Sequence, residues 1–134
     1  MDDPIAKIDL SKLLLGDETY QVVGAAMEVY YKLGTGFLEP VYQQALAIEL
    51  KQRSILFEQQ KRFQIDYKGT ILEKEYVADF VCFDQVIVEI KALNQLSPVD
   101  WSQVLNYLKV SRMRVGLLFN FGSVGRLEWK RLVI

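Results

Sequence analysis

The hydrophobic pattern changes period along the chain, from helical to alternating and back. Between Glu18 and Leu33, Val22, Val23, Ala26, Met27, Tyr30 and Leu33 recur at helical spacing, and Gly34 closes the segment. Met1 to Asp17 shows no such period and reads as an extended lead-in, with Leu13, Leu14 and Leu15 docking on the body. After a joint at Gly34-Thr35-Gly36, a second stripe of Leu38, Val41, Tyr42, Ala45 and Leu46 predicts a helix running to about Arg53. Pro40 suits its first turn, which sets Glu39 at its start.

From Leu56 the period becomes two. Phe57, Phe63, Ile65 and Tyr67 alternate with polar residues, and Lys68-Gly69 predicts a hairpin turn into a strand over Ile71 to Phe83. A tight turn at Asp84 and Gln85 leads to a third strand, Val86 to Ala92. Ser97-Pro98-Val99-Asp100 then has the form of a helix start, with Ser97 as cap and Asp100 three residues on, and Trp101, Val104, Leu105 and Leu108 give the apolar face. Met113 to Phe121 is apolar almost throughout, as a strand covered on both faces must be, and Leu127 to Ile134 offers a last strand. The order is helix, helix, three strands, helix, strand, strand. A helix between the third and fourth strands makes a crossover, so the expected class is α/β (α+β mixed), a mixed sheet flanked by helices on both faces.

Composition narrows the options. The 134 residues suit a single domain, and 51% hydrophobic with 25% charged residues fits an ordered globular protein. There is no histidine and one cysteine, Cys82, so disulfide frameworks and Cys/His zinc clusters are excluded and any metal must be a hard, oxygen-bound one. The net charge of -1 and pI near 5.5 give no bulk sign of a basic nucleic-acid surface. The acidic N-terminus has no long apolar run, so neither a signal peptide nor a membrane span is expected, and a cytoplasmic location follows.

Against this background, three charges stand out inside the apolar strands of Val77 to Ala92: Asp79, Glu89 and Lys91. Ionised groups taken out of water need partners or a cation. Glu89 and Lys91 are two apart and leave one face of their strand, whereas Val88 and Ile90 point to the other; Asp79 shares a face with Val77 and Val81. Cys82 falls on the opposite face and reads as core. If the hairpin pairs these faces in register, Asp79, Glu89 and Lys91 meet. Two carboxylates with a backbone carbonyl suit Mg²⁺, and a neighbouring lysine can orient or deprotonate water and steady a phosphate. A buried structural ion pair competes with that reading. Spacing does not decide between them, because Glu49-Leu50-Lys51, Asp66-Tyr67-Lys68 and Glu128-Trp129-Lys130 repeat the pattern.

Longer motifs are more specific. Gly36-Phe37-Leu38-Glu39-Pro40-Val41-Tyr42 resembles the G-x-x-E-x-x-Y signature of the small bacterial and archaeal GxxExxY proteins. Ala45, Leu46, Glu49 and Leu50 fit their A-L-x-x-E-L segment, and Ala78 to Phe80, Val88 to Ala92 and Leu118 to Phe121 match further elements. That family is similar to the PD-(D/E)xK nuclease superfamily, whose restriction-endonuclease-like αβββαβ core agrees with the order read above. The resemblance implies Asp79, Glu89 and Lys91 as the D-(x)n-E-x-K motif, Glu39 as an added acidic metal ligand, and Gln103 with Tyr107 as the Q-x-x-x-Y element of the RecB-like branch. Val77-Ala78 stands where the superfamily name has proline. The residues also have plainer readings. Glu39 favours a helix start, Gln103 and Tyr107 suit the surface and core of a helix, Tyr42 packs and its hydroxyl holds Glu39 or a neighbour, and Gly34 and Gly36 serve backbone geometry.

The resulting expectation is a Mg²⁺- or Mn²⁺-dependent nuclease acting on DNA. Asp79, Glu89, the Ile90 carbonyl and Glu39 would hold metal, Lys91 would activate water, Gln103 would orient the site, and Tyr42 and Tyr107 would support it. The alternative is a catalytically weak or inactive module with this fold that works through homo-oligomerisation, a homodimer included, or through partner or nucleic-acid binding. Phosphate contacts are sparse, with Lys61, Arg62, Arg112 and Arg114 the obvious clusters.

Overall fold

The computed structural model describes residues 13–134. Its elements in chain order are α1 (Gly16–Leu33), α2 (Glu39–Gln52), β1 (Phe57–Tyr67), β2 (Thr70–Cys82), β3 (Val86–Lys91), α3 (Pro98–Ser111), β4 (Val115–Asn120) and β5 (Glu128–Val133). The expected element order therefore holds throughout. Most of the expected lead-in lies outside the described residues, and its last two residues belong to α1. Asp17 and Glu18 favour that earlier start by opposing the positive end of the helix dipole. Of the three leucines, Leu15 packs against the core, whereas Leu13 and Leu14 stay exposed.

α1 and α2 cover one face of the sheet. The buried stripe of α2 is Tyr42, Leu46 and Leu50, with Leu38 and Val41 exposed, so it is rotated from the expected one. α3 starts as its sequence dictates: Ser97 and Asp100 form a reciprocal capping box and Pro98 opens the first turn. It covers the other face through Val104, Tyr107 and Leu108. The approach to β4 is close, because a Cβ on Gly116 would sit 2.6 Å from Val104 Cγ1. Only a residue without a side chain lets the helix settle there.

The sheet order is β1-β2-β3-β4-β5. Only β3 and β4 are parallel, joined through α3, and the other neighbours are antiparallel. Lys68 and Gly69 take the left-handed φ values of 53° and 89° that a two-residue hairpin turn requires. In the β2–β3 turn the left-handed residues are Phe83 and Asp84, one position earlier than expected. The Phe83 amide is tied to the Leu56 carbonyl, a long-range restraint that local turn chemistry does not reveal.

Side-chain alternation in the β1–β2 hairpin reverses at one level. Phe80 and Cys82 pack on the α1/α2 face, yet Ala78 and Tyr76, at the same parity, pack on the α3 face. On β1, Phe57 and Phe63 divide in the same way. Between the pairs Gln59↔Phe80 and Lys61↔Ala78 stand Gln60 and Asp79, absent from the ladder, and Gln60 has φ 52°. The hairpin turns over there, so Asp79 does not share the face of Val81 as strict alternation predicts.

Candidate active site

The β2–β3 ladder covers only Phe80↔Val88, Val81↔Ile87 and Cys82↔Val86. Where it ends, two carboxylates take over from backbone pairing. Asp79 N–H donates to Glu89 Oε1 at 3.0 Å, and Ile90 N–H donates to Asp79 Oδ2 at 2.8 Å. Each acid thus occupies a place in the opened ladder that a carbonyl would otherwise fill, which fixes the two side chains against one another.

Glu89 is 4% exposed. Burial first, and then the Asp79 charge, push its carboxyl up to about 9, while Lys91 and the Asp79 amide act in the opposite direction. Among the described residues, no carboxylate lies within ion-pair distance of Lys91. The buried ion pair that competed with a functional site is therefore not formed between these residues.

Glu39, half-buried in the first turn of α2, comes within electrostatic reach of both Lys91 and Asp79. Burial raises its pKa most, Lys91 opposes the rise and Asp79 adds to it. From the other face, Tyr107 senses the charges of Glu89 and Asp79; burial is the main reason its hydroxyl is pushed up to about 12, and the neighbouring Gln103 side chain opposes the shift. The fold thus brings Glu39, Asp79, Glu89, Lys91, Tyr107 and Gln103 together at the carboxyl end of β3. The Ile90 side chain is in the core, and the contact its backbone makes here is through the amide.

Tyr42 serves the site from behind. Its hydroxyl donates to the Gly34 carbonyl at 2.7 Å and accepts from Phe37 N–H at 3.2 Å, and its ring stacks on Phe121 at 4.7 Å. It holds the loop that delivers Glu39 and does not bond Glu39 itself. The segment after Lys91 is pinned by Asn120, fully buried, whose side-chain amide bonds both backbone groups of Leu93 and the Glu128 carboxylate.

Sequence reasoning missed two residues. Gln43 Nε2 donates to Asp79 Oδ1 at 3.2 Å, and Gln60 Nε2 donates to Gln43 Oε1 at 3.3 Å. Gln43 follows Glu39 by four positions on α2, so helical spacing alone could have placed both on one face. For Gln60 no local signal exists. Of the expected phosphate contacts, Lys61 and Arg62 pair with Glu58 and Glu75, and Arg114 donates to the Ile134 carbonyl. Arg112 instead lines a trough between the hairpin and α3, with Lys109 and Asn106.

Among the described residues, no helix is long and apolar enough to cross a membrane. No curated protein matches the chain in sequence. In three dimensions it is similar to the crystal structure of SSO0001, with a TM-score of 0.56 over 71% of this chain at 17% identity, and the match spans half (50%) of that protein's length. That likeness, together with the five-stranded mixed sheet between two helical layers, shows a restriction-endonuclease-like fold. A sequence model of the PD-(D/E)XK nuclease superfamily matches residues 16–132, nearly all of the described structure, and the chain belongs to that superfamily.

Proposed function

We propose that the protein is a Mg²⁺- or Mn²⁺-dependent nuclease of the GxxExxY kind that hydrolyses DNA phosphodiester bonds. The observation that carries this reading is the carboxylate pair at the opened ladder, with Lys91 beside it and ion-paired to neither acid among the described residues. The donor set fits a hard divalent cation. Mg²⁺ is held by one or two carboxylates and keeps several of its waters, which suits the Asp79 and Glu89 pair. Asp79 and Glu89, with Glu39 at the edge and the Ile90 carbonyl, would hold it, and it would offset charge on the scissile phosphate when bound.

The chain's own groups supply the rest. Lys91 orients or deprotonates the attacking water and faces the phosphate, and Gln103 and Tyr107 limit the space on the α3 side. Lys109 and Arg112 in the trough, about 520 Å³ in volume, offer cationic contacts to a strand approaching along α3. Incubation of the purified protein with Mg²⁺ or Mn²⁺ and single-stranded, duplex or branched DNA should give nicks or cuts on at least one substrate. Lys91→Ala should remove them while circular dichroism and melting stay close to wild type. Absence of cleavage on all three forms would overturn the reading.

A further inference from the structure

We propose that Gln60 and Gln43 form a directional amide relay that fixes the orientation of the Asp79 carboxylate. A glutamine amide can present either its N–H₂ or its carbonyl to a neighbour, and only its partners decide which. Gln43 faces an acceptor, Asp79 Oδ1 at 3.2 Å, so it must present N–H₂ there. Its carbonyl is held at the opposite end by the Gln60 amide at 3.3 Å. Reversed, Gln43 would set an oxygen against a carboxylate oxygen. The Asp79 carboxylate, which can only accept, therefore gives the relay its polarity, and Gln60 anchors the far end of Gln43.

The backbone bears this out. Gln60 adopts φ 52° inside a strand, a left-handed conformation that disfavours any residue with a Cβ and that glutamine has no special means to relieve. It stands opposite Asp79 in the β1–β2 register, at the level where side-chain alternation reverses. The unfavourable backbone brings an exposed side chain back over α2 to reach Gln43. With Oδ1 held by Gln43 and Oδ2 by Ile90 N–H at 2.8 Å, the carboxylate plane is set from both ends. Both oxygens keep lone pairs for a cation.

Gln43 and Gln60 are thus positioning residues. Their consequence for metal rests on the functional reading above, whereas the relay itself does not. Two measurements separate these. The first is amide hydrogen exchange of the metal-free protein by NMR, and the second is Mg²⁺ affinity by calorimetry, for wild type, Gln43→Met, Gln60→Gly and the double variant. Gln43→Met should speed exchange at Ile90 but not at Val88, and weaken Mg²⁺ binding about 10-fold, the lower end for loss of an outer partner of a metal-binding carboxylate. Gln60→Gly should change both by a smaller factor, roughly 3-fold, and add nothing in the Gln43→Met background, because it acts only through Gln43. Unchanged Ile90 exchange in Gln43→Met, or independent multiplying effects in the double variant, would each overturn the relay. Faster Ile90 exchange in a protein whose wild type binds no divalent cation would uphold the relay and sink the metal reading.

Discussion

Glu89-Ile90-Lys91 on β3 and Glu128-Trp129-Lys130 on β5 share a spacing and a sheet, with β4 between them. In the second triplet Glu128 accepts from Asn120 Nδ2 at 2.9 Å and from Leu96 N–H at 3.0 Å, and Lys130 lies over the Trp101 ring at 4.2 Å. Every charge there has a structural partner. In the first triplet the glutamate is buried against another carboxylate and the lysine pairs with no acid among the described residues. Identical spacing thus serves two ends, and the difference lies in what each acid faces. One triplet closes a loop, and the other sets a buried carboxyl against a second acid, with a lysine nearby that pairs with no described acid.

The largest effect should come from exchanging the acids for neutral groups. Glu89→Gln is expected to lower Mg²⁺-dependent DNA cleavage by about 10³-fold, within the range that positioned acid–base and electrostatic groups contribute. Glu128→Gln, which keeps an acceptor for Leu96 and Asn120, should leave the rate within a factor of a few. Equal losses in the two variants would show that the contrast between the triplets is not functional.

Stability should then respond in the opposite order. Glu128→Ala leaves the Asn120 side-chain amide and the Leu96 N–H without their acceptor, an outcome that costs about 1–3 kcal/mol when the groups are buried. Denaturant titration of the metal-free protein would measure it. Glu89→Gln should be neutral or stabilising in the same titration, as expected where a residue is held for function at the expense of the fold.

How much of this contrast is legible in the sequence depends on range. The element order, the Ser97–Asp100 capping box and the Lys68-Gly69 turn follow from local spacing and turn chemistry, and the structure has all of them. Asp79, Glu89 and Lys91 are recognisable because charge inside an apolar strand is conspicuous. The turn at Phe83-Asp84, the reversal of alternation at Gln60 and Asp79, and the rotated stripe of α2 are not, because each is set by contacts far along the chain. Gln43 and Gln60 are missed for a related reason: an uncharged polar residue at a helix surface or strand edge looks the same whether it faces water or a carboxylate.

A pH series would sharpen the comparison further. The Glu89 carboxyl is raised from about 4.5 in an exposed state to about 9 in the fold, so between these values the unfolded chain has released a proton that the native protein retains. The native state binds more protons, and metal-free stability must therefore fall as pH rises across that window. Below the lower value the contribution is fully present, and above the upper one it is lost. The slope should be smaller in Glu89→Gln, with the raised Glu39 carboxyl leaving a remainder, and unchanged in Glu128→Gln. Saturating Mg²⁺ should flatten it, because a cation at the carboxylates favours the ionised form. A wild-type slope that survives undiminished in Glu89→Gln would assign the titration to another group.

The smallest effect on stability separates the two lysines. Lys130→Ala removes a cation from the Trp101 face, an interaction of roughly 0.5–1 kcal/mol at a partly exposed site, and should lower stability by about that much with no change in cleavage. Lys91→Ala should give the inverse pattern, because it abandons no ion pair with a described acid. What it does remove is a positive charge that opposes the rise in Glu89 and Glu39, so metal-free Glu89 should titrate higher still. Stability curves and cleavage rates for the two variants, plotted together, should fall on different axes. If both variants lose stability alone, Lys91 is a structural residue like Lys130, and the opened ladder at Asp79 and Glu89 has no lysine poised beside it.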